Sequence, residues 1–570
     1  MNLETLLADR LATAFSAVAG APVDPAVRVS QHADFQSGAA LALAKPLGRA
    51  PRDIAAEVAA TADLGGLATV EVSGPGFVNV AITDAAIWRQ VAERLADDRL
   101  GVPCALAGST TVIDYSQPNI AKQMHVGHLR STIIGDALAR ILGFLGSDVI
   151  RQNHLGDWGT QFGMLIQHLF ENPGDRYADG GESGTTAMSR LNTLYRTARA
   201  RFDNDPSFAG RARRRVVELQ AGDPGTLAVW QELVDESKIY FNEVYGKLGV
   251  LLTDADAVGE SFYNAHLAGI ADDLESRGIA VRSDGALCVF FDDTPAPLIV
   301  RKSDGGFGYA ATDLAAIRHR VSVLGADRIL YVVDARQALH FRMVFETARR
   351  AGYLPDDVRV SHVSFGSVLG EDGRPFKTRS GETVQLISLL DEAIERARAT
   401  VAEKNPGIAA GALAERAVEV GIGAVKYADL STSRGRDYVF DVDRMVSLQG
   451  NTGVYLQYAN ARTRSILAKA ATGSPVDDRA PLAPAERELA LQLDQVGLVL
   501  TTAAESFEPH RLASYLYAVA QAFTGFFEAC PVLRAPDETT RANRLALCEL
   551  TSRTLELGLR LLGVATPTRL

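Results

Sequence analysis

The sequence predicts an α/β protein with a parallel sheet at its centre, a small α+β unit ahead of it and a helical region behind it. Three observations carry this reading. Between Thr111 and Gln152 an apolar strand, a loop, a striped helix and a second strand follow one another, the start of a parallel βαβ unit. In the first hundred residues, Leu67–Val72 and Phe77–Ile82 read as strands on either side of the turn Ser73-Gly74-Pro75-Gly76. Beyond about Leu386 nearly everything has helical periodicity.

Taken in order, the unit over 1–105 opens with Leu3, Leu6, Leu7, Leu11 and Phe15 at helical spacing, and Ala40–Ala44 and Ile54–Ala60 suggest further helices. A linker around Gly101–Ser109 follows. The central unit spans 106–385. It begins with a strand at Thr111–Tyr115, a loop at Ser116–Met124 and a helix over Val126–Leu145. The buried stripe of that helix is Val126, Leu129, Ile133, Leu138, Ile141, Leu142 and Leu145. Val149–Gln152 is the next strand. A polar, Arg-rich stretch at about 172–245 reads as a helical insertion. The α/β pattern resumes at Ala286–Phe291, Leu298–Lys302, Ile329–Val333 and Ser361–Phe365. A helical connecting region over 386–450, with a loop at Ser431–Asp441, leads to a helical domain over 451–570.

A chain of 570 residues needs several cores. Its net charge of −11 means that any nucleic-acid binding has to use local basic patches, because phosphate contacts need Lys and Arg. Cys104, Cys288, Cys530 and Cys548 are scattered and form no C-x-x-C pair, which argues against zinc and against a disulfide framework. Glu4, Asp9 and Arg10 interrupt the first helix, and no basic segment precedes its apolar stretch. A secretory leader is not expected, no apolar run reaches membrane-spanning length, and a cytoplasmic protein is.

The strongest chemical signal is Pro118-Asn119-Ile120-Ala121-Lys122-Gln123-Met124-His125-Val126-Gly127-His128, set between a strand and a helix. A helix N-terminus offers free N–H groups and the positive end of a dipole, which suits a phosphate. His125 and His128 are three apart and can share one side of the first turn. Gly127, without a Cβ, lets a nucleotide lie against the backbone. No G-x-x-x-x-G-K-[ST] pattern occurs, so a P-loop ATPase is excluded.

This motif resembles the HIGH signature of class I aminoacyl-tRNA synthetases. The longer run Ser116–Asp136, followed by Arg151-Gln152-Asn153-His154-Leu155-Gly156-Asp157-Trp158-Gly159-Thr160-Gln161, is similar to the arginyl form, and the match continues along almost the whole chain. The resemblance implies a Rossmann-type catalytic domain at 106–385, an N-terminal domain reading the tRNA elbow, a stem-contacting region at 386–450 and an anticodon-binding bundle at 451–570. It implies ATP, carried with Mg2+, as a substrate beside L-arginine and tRNA(Arg), and a monomer. His125 and His128 would stabilise the pentacovalent α-phosphate, with Pro118, Gly127, His340 and Phe341 around the nucleotide. The second class signature is a mobile loop, here Gly373-Arg374-Pro375-Phe376-Lys377-Thr378-Arg379-Ser380-Gly381. It departs from the class pattern, with Ser380 where a second Lys is usual. In many arginyl enzymes the Lys before HIGH substitutes, which is Lys122 here. A cation has to offset the charge developing on pyrophosphate, and Lys122, Lys377 and Arg379 are the ones at hand.

A guanidinium stays charged and favours bidentate acidic partners. By resemblance Tyr309 and Asp313, one helical turn apart, would hold it, with Glu260 as a weaker candidate and Asp114 at the end of the first central strand. Asn119, Gln337 and His125 would surround the amino group. Taken singly, each acid reads as readily as a cap or a surface charge. For the tRNA, Gln36, Phe77 and Asn79 resemble the elbow-reading set, and Tyr455 and Tyr458 would stack on anticodon bases. Phe77 and the two tyrosines fit a core as easily. The Arg196–Arg215 stretch either steers a phosphate backbone or is a solvated helix face. Three rivals remain at this point. A non-catalytic relative would be expected to have lost some of these residues, and a cysteinyl enzyme would need zinc ligands. A small-molecule adenylyltransferase would not need the helical C-terminal domain.

Overall fold

The computed structural model describes residues 2–175, 184–370, 372–374, 384–470 and 475–568. Helix α1 (Leu3–Ala19) is capped by the Asn2 side chain, which accepts from the Thr5 N–H, and buries Leu3, Leu7, Leu11 and Phe15. Two strands too short to show alternation, β1 (Val27–Val29) and β2 (Phe35–Ser37), are followed by α2 (Ala39–Leu47) and α3 (Pro51–Thr61). With β3 (Ala68–Ser73) and β4 (Phe77–Ile82) they form an antiparallel sheet in the order β1-β2-β4-β3. Val78, Val80 and Ile82 point into the core. Phe77, Asn79 and, by register, Gln36 therefore share the outer face. Helix α4 (Asp84–Ala96) leads onward.

The central sheet contains β5 (Thr110–Asp114), β6 (Asp148–Leu155), β7 (Ala257–Gly259), β11 (Arg328–Tyr331) and β12 (Arg359–His362). Their order is β12-β11-β5-β6-β7, with every pairing parallel. Both faces are covered, as parallel sheets require. Ile113 and Leu330 turn to the face of helix α5 (Val126–Phe144), while Val112, Ile329 and Tyr331 turn to the other. That second face carries α10 (Asn264–Ser276), α11 (Tyr309–Ser322) and α12 (Ala338–Arg350). Gly135 of α5 is required by a close approach. A Cβ there would stand 2.3 Å from the ring of the buried Tyr115.

One expectation needs correction. The Ala286–Phe291 and Leu298–Lys302 strands are not part of the parallel sheet. They form β9 (Ala286–Phe291) and β10 (Thr294–Arg301) of an antiparallel meander with β8 (Val281–Ser283). The intervening Asp292-Asp293 turn is too short for the crossover that parallel neighbours need. The Arg-rich insertion is helical, as α7 (Gly184–Asn204), α8 (Pro206–Gln220) and α9 (Pro224–Leu248), after α6 (Thr160–Glu171). Several of its arginines are committed: Arg199 to Asp203, Arg201 and Arg211 to Glu171, Arg215 to Glu218.

From α13 (Leu386–Lys404) and α14 (Ala410–Leu430) the chain is helical, interrupted by a short parallel bridge between β13 (Val368–Leu369) and β14 (Tyr438–Val439) and then α15 (Val442–Met445). Five more helices complete it: α16 (Gly453–Lys469), α17 (Pro484–Asp494), α18 (Val496–Ser506), α19 (His510–Ala529) and α20 (Glu538–Leu561). Among the described residues no helix is long and apolar enough to cross a membrane.

Buried polar contacts fix these parts to one another. Arg130 of α5 pairs with Asp429 of α14 at 3.1 Å, both buried, and donates to the Arg436 carbonyl. At the other end Asp494 of α17 is a hub for the first unit. Its carboxylate accepts from Arg94 at 2.5 Å, from Gln90 and from the Leu3 N–H, and the Trp88 indole donates to the Ala480 carbonyl.

Candidate active site

Strand β5 ends at Asp114, and the loop to α5 is strained. Ser116, Gln117 and Ala121 all have positive φ, at 76°, 52° and 60°. For residues with a Cβ each costs about 1–2 kcal/mol, so the surroundings must over-determine the loop. They do. The Ser116 N–H donates to Ser131 Oγ, the Gln117 N–H to Asn153 Oδ1 and the Ala121 N–H to Ser237 Oγ. Ser116 Oγ meets the Tyr245 hydroxyl at 2.8 Å and accepts from Thr132. Side chains of α5, β6 and α9 thus hold a loop whose own backbone favours other conformations.

His125 is the N-cap of α5. Its Nδ1 accepts the Gly127 N–H at 3.0 Å, and His128 Nδ1 accepts the His125 N–H at 3.0 Å. An Nδ1 that accepts carries no proton, so each neutral ring holds its proton on Nε2 and keeps it as a donor. The ring centroids lie 4.0 Å apart. Desolvation first, then the neighbouring imidazole and the Lys122 ammonium, push His128 down to about 3, and burial with the Arg336 guanidinium depresses His125. Both rings are therefore neutral hydrogen-bond donors at physiological pH. Gly127 has a requirement the sequence did not show: a Cβ there would stand 2.7 Å from the His125 ring, so the glycine makes room for the imidazole.

Beside this turn, at the C-terminal ends of the parallel strands, two adjoining cavities open. The inner one, of ≈ 350 Å³, is lined by Asp114, Asn119, Glu260, Asp313, Gln337 and His340 among others. The outer one, of ≈ 510 Å³, is lined by Lys122, Trp158, Tyr195, Arg199 and Lys302. Asn119, Glu260, Tyr309 and Thr312 border both. These are volumes of ordinary ligand sites. The inner cavity is acidic. Burial, with Asp157 and Asp313 as like charges, pushes Glu260 up to about 8. Asp157 is raised by burial while it accepts from the Ser261 N–H and hydroxyl. Asp313 meets His340 Nε2 at 2.6 Å. Tyr309 opens α11 and is 74% exposed, four residues before Asp313 on the same helix face.

The sequence-derived active-site candidates fall into four groups. Asn119, Lys122, Tyr309, Asp313, Glu260, Gln337 and His340 border the cavities, and His125, His128 and Gly127 form the adjacent helix mouth. Lys122 lies 4.9 Å from the Tyr195 ring of the insertion. Three residues are placed otherwise. Pro118 is buried, and its carbonyl accepts the Gly156 N–H. Phe341 is 4% exposed within an aromatic cluster of Tyr331, Phe345 and His362, so only its edge reaches the cavity. Asp114 is 2% exposed and already paired with Arg320 at 2.6 Å, its other oxygen accepting from Gln117. Lys377 and Arg379 lie outside the described residues, but the chain resumes against the helix mouth: the Val126 N–H donates to the Val384 carbonyl, and His125 bridges Gln385. Trp158 packs against the core, edge-on to Trp230, and also borders the outer cavity. Ser131, Ser237, Tyr245 and Arg320 had no sequence signal that singled them out, since their partners are distant in the chain.

On the outer face of the first sheet, Gln36 donates to Asn79 Oδ1 at 2.6 Å, across their paired register. Tyr458 is 46% exposed and borders a groove with Asn405, Arg462, Arg464 and Lys469. Tyr455 is half-buried, bonded to Thr524 and packed edge-on against Tyr517, which leaves its ring a packing role. Among the described residues no group of three His, Cys, Asp or Glu is arranged to hold a metal ion.

Comparison with known proteins agrees in all three regions. Residues 1–82 match the arginyl tRNA synthetase N terminal domain, 90–442 the class I (R) tRNA synthetase catalytic domain and 456–570 the DALR anticodon binding domain. An arginine–tRNA ligase of Frankia casuarinae is 62% identical, covering 96% of this chain and 95% of its own. One of Streptomyces coelicolor is 54% identical, covering 100% and 99%. Among solved structures, the Thermus thermophilus arginyl-tRNA synthetase superposes with a TM-score of 0.82 at 27% identity, covering 100% of both chains. That of Plasmodium falciparum gives 0.85 at 26%, covering 100% and 99%.

Proposed function

Given that this chain belongs to the class I arginyl-tRNA synthetases, and so ligates arginine to tRNA at the expense of ATP, we propose which of its groups do the work. The observation that carries the proposal is the adjacency of a helix mouth with two neutral imidazoles to an acid-lined cavity on α11. Arginine enters the inner cavity. Its guanidinium meets Asp313 and Glu260 beneath the Tyr309 ring, and its amino end faces Asn119 and Gln337. ATP arrives with Mg2+ on its phosphates, a mode that needs no dedicated protein cage for the ion. The arginine carboxylate attacks the α-phosphorus in line, the bond to the bridging oxygen breaks, and Mg-pyrophosphate leaves. His125 and His128 donate from Nε2 to the α-phosphoryl oxygens as charge builds there, which is how preorganised donors lower such a barrier. Lys122, Lys377 and Arg379 offset the pyrophosphate charge. Two facts favour this last reading: the chain just beyond Gly381 runs along His125, and Lys122 borders the outer cavity.

In the second step the terminal ribose 2′-OH of tRNA attacks the arginyl carbonyl and AMP leaves. Positioning suffices, without a covalent enzyme intermediate. The 1–105 unit reads the tRNA elbow through Gln36, Phe77 and Asn79, the 386–450 region follows the stem, and the 451–570 bundle reads the anticodon, with Tyr458 rather than Tyr455 open to a base. The enzyme acts as a cytoplasmic monomer. The test is arginine-dependent ATP–pyrophosphate exchange with and without tRNA. Exchange is expected only with tRNA present. Folded protein that supports none in either case would overturn the active-site reading, and full exchange without tRNA would overturn the tRNA requirement.

A further inference from the structure

We propose that Arg320 is a positioning residue for the arginine pocket. It occupies Asp114, so that the incoming guanidinium is taken by Asp313 and Glu260 and cannot dock a step too deep. The inference rests on the pocket assignment above and names a residue which that assignment lacks.

Arg320 lies on the α11 stripe that also bears Tyr309 and Asp313, at intervals of four and seven residues, so all three face the sheet end. It is fully buried. Its Nη2 donates to Asp114 Oδ2 at 2.6 Å, its Nε to Gln152 Oε1 at 2.6 Å, and its guanidinium stands 4.9 Å from the Tyr331 ring. Asp114 pairs in register with Gln152 on one side and with Tyr331 on the other. One cation therefore clasps Asp114 and Tyr331 at the ends of β5 and β11 together with Gln152 of β6, the strand between them and the sheet's edge strand β7, close to where open parallel sheets hold their ligands.

Four carboxylates surround this region: Asp114, Asp157, Glu260 and Asp313. Asp157 is engaged by Ser261. Were Asp114 free, its oxygens would compete for the guanidinium from below the proper partners. A guanidinium bound there would draw the substrate carboxylate away from the helix mouth, giving tight but unproductive binding. The internal guanidinium fills that position in advance. Through Asp114 Oδ1, which accepts from Gln117 at 2.7 Å, it also steadies the strained loop that leads to His125.

The test is steady-state kinetics of Arg320→Met, Arg320→Lys and the double variant Arg320→Met/Asp114→Asn, with thermal unfolding alongside. Arg320→Met frees Asp114, so kcat should fall at least tenfold while KM for arginine stays level or falls. Arg320→Lys keeps the charge on Asp114 but loses the fork that also reaches Gln152, so its kcat should fall less than that of Arg320→Met. The double variant removes the decoy with its blocker, and its kcat should recover to within about tenfold of wild type. A folded Arg320→Met with unchanged kcat, or with KM for arginine raised and kcat kept, overturns the proposal. Should that variant not fold, the double variant decides alone, because it leaves no unpaired buried charge: recovered kcat supports the proposal and a folded, inactive protein overturns it. Wild-type protein without arginine-dependent exchange would instead sink the pocket assignment itself.

Discussion

Arginine binding should release a proton from Glu260. In the empty pocket that carboxyl is pushed up to about 8, chiefly by burial and then by Asp157 and Asp313, against one stabilising N–H from Trp158. At pH 7 roughly one molecule in eleven then carries Glu260 ionised, and at pH 8 about half do. A guanidinium needs the ionised form. Apparent affinity should therefore rise about fivefold from pH 7 to pH 8, since the competent fraction scales the dissociation constant. About 0.9 proton should leave per arginine bound at pH 7. Titration calorimetry in phosphate and in Tris, whose ionisation heats differ widely, reads that proton directly. Glu260→Gln should bind more weakly and lose the buffer dependence. The unliganded protein supplies a second reading. A group whose folded-state pKa is raised favours the fold at low pH, and that contribution is lost as pH climbs through about 8. Glu260→Gln should thus raise Tm relative to wild type more at pH 9 than at pH 5. Heat of binding that is identical in both buffers, with affinity flat between pH 7 and pH 8, would refute the reasoning even if arginine binds well.

Two further outcomes are expected. His128→Asn removes one Nε2 donor aimed at developing charge, so kcat in pyrophosphate exchange should drop by about 10²–10³ with KM for arginine nearly unchanged; a rise in KM with kcat preserved would assign the ring to ground-state binding. Asp494→Ala strands the buried Arg94 guanidinium and should cost about 3–5 kcal/mol in denaturant unfolding, most of it regained when Arg94→Met is added.

Local pattern made much of the centre legible. The stripe from Val126 to Leu145 marked α5 to within one residue, because a two-sided apolar helix has no other way to hide its surface. Strand β9 was legible to its ends from its continuous apolar run. Its placement was not, since such a run reads alike in a meander and in a parallel sheet. Asp114 shows the same division. Its position at a strand end is local, but its partner Arg320 is 206 residues away, and no spacing announces such a pair. Ser237 and Tyr245, which support the loop at Ala121 and Ser116, are hidden in the insertion for that reason as well. Phe341 and Tyr455 show the limit for aromatics: the same residue suits a stacking platform or a core, and only the helix rotation decides. Phe77 and Asn79 were decided by the opposite residues, since Val78, Val80 and Ile82 claim the interior.

The Asp494 hub has a bearing on how the protein is made. Leu3 and its acceptor on Asp494 are 491 positions apart, so the first helix leaves the ribosome long before its docking site exists. At about 5–20 residues per second the wait is of order half a minute to a minute and a half. Until then the Trp88 indole lacks its acceptor, and the Arg94 guanidinium has the Leu100 carbonyl but not Asp494. Final assembly is therefore clocked by the last stretch of translation. A ribosome that stops short of α17 releases a product with that surface uncovered, a physical mark by which the cell's proteases and chaperones can tell an unfinished copy from a complete one.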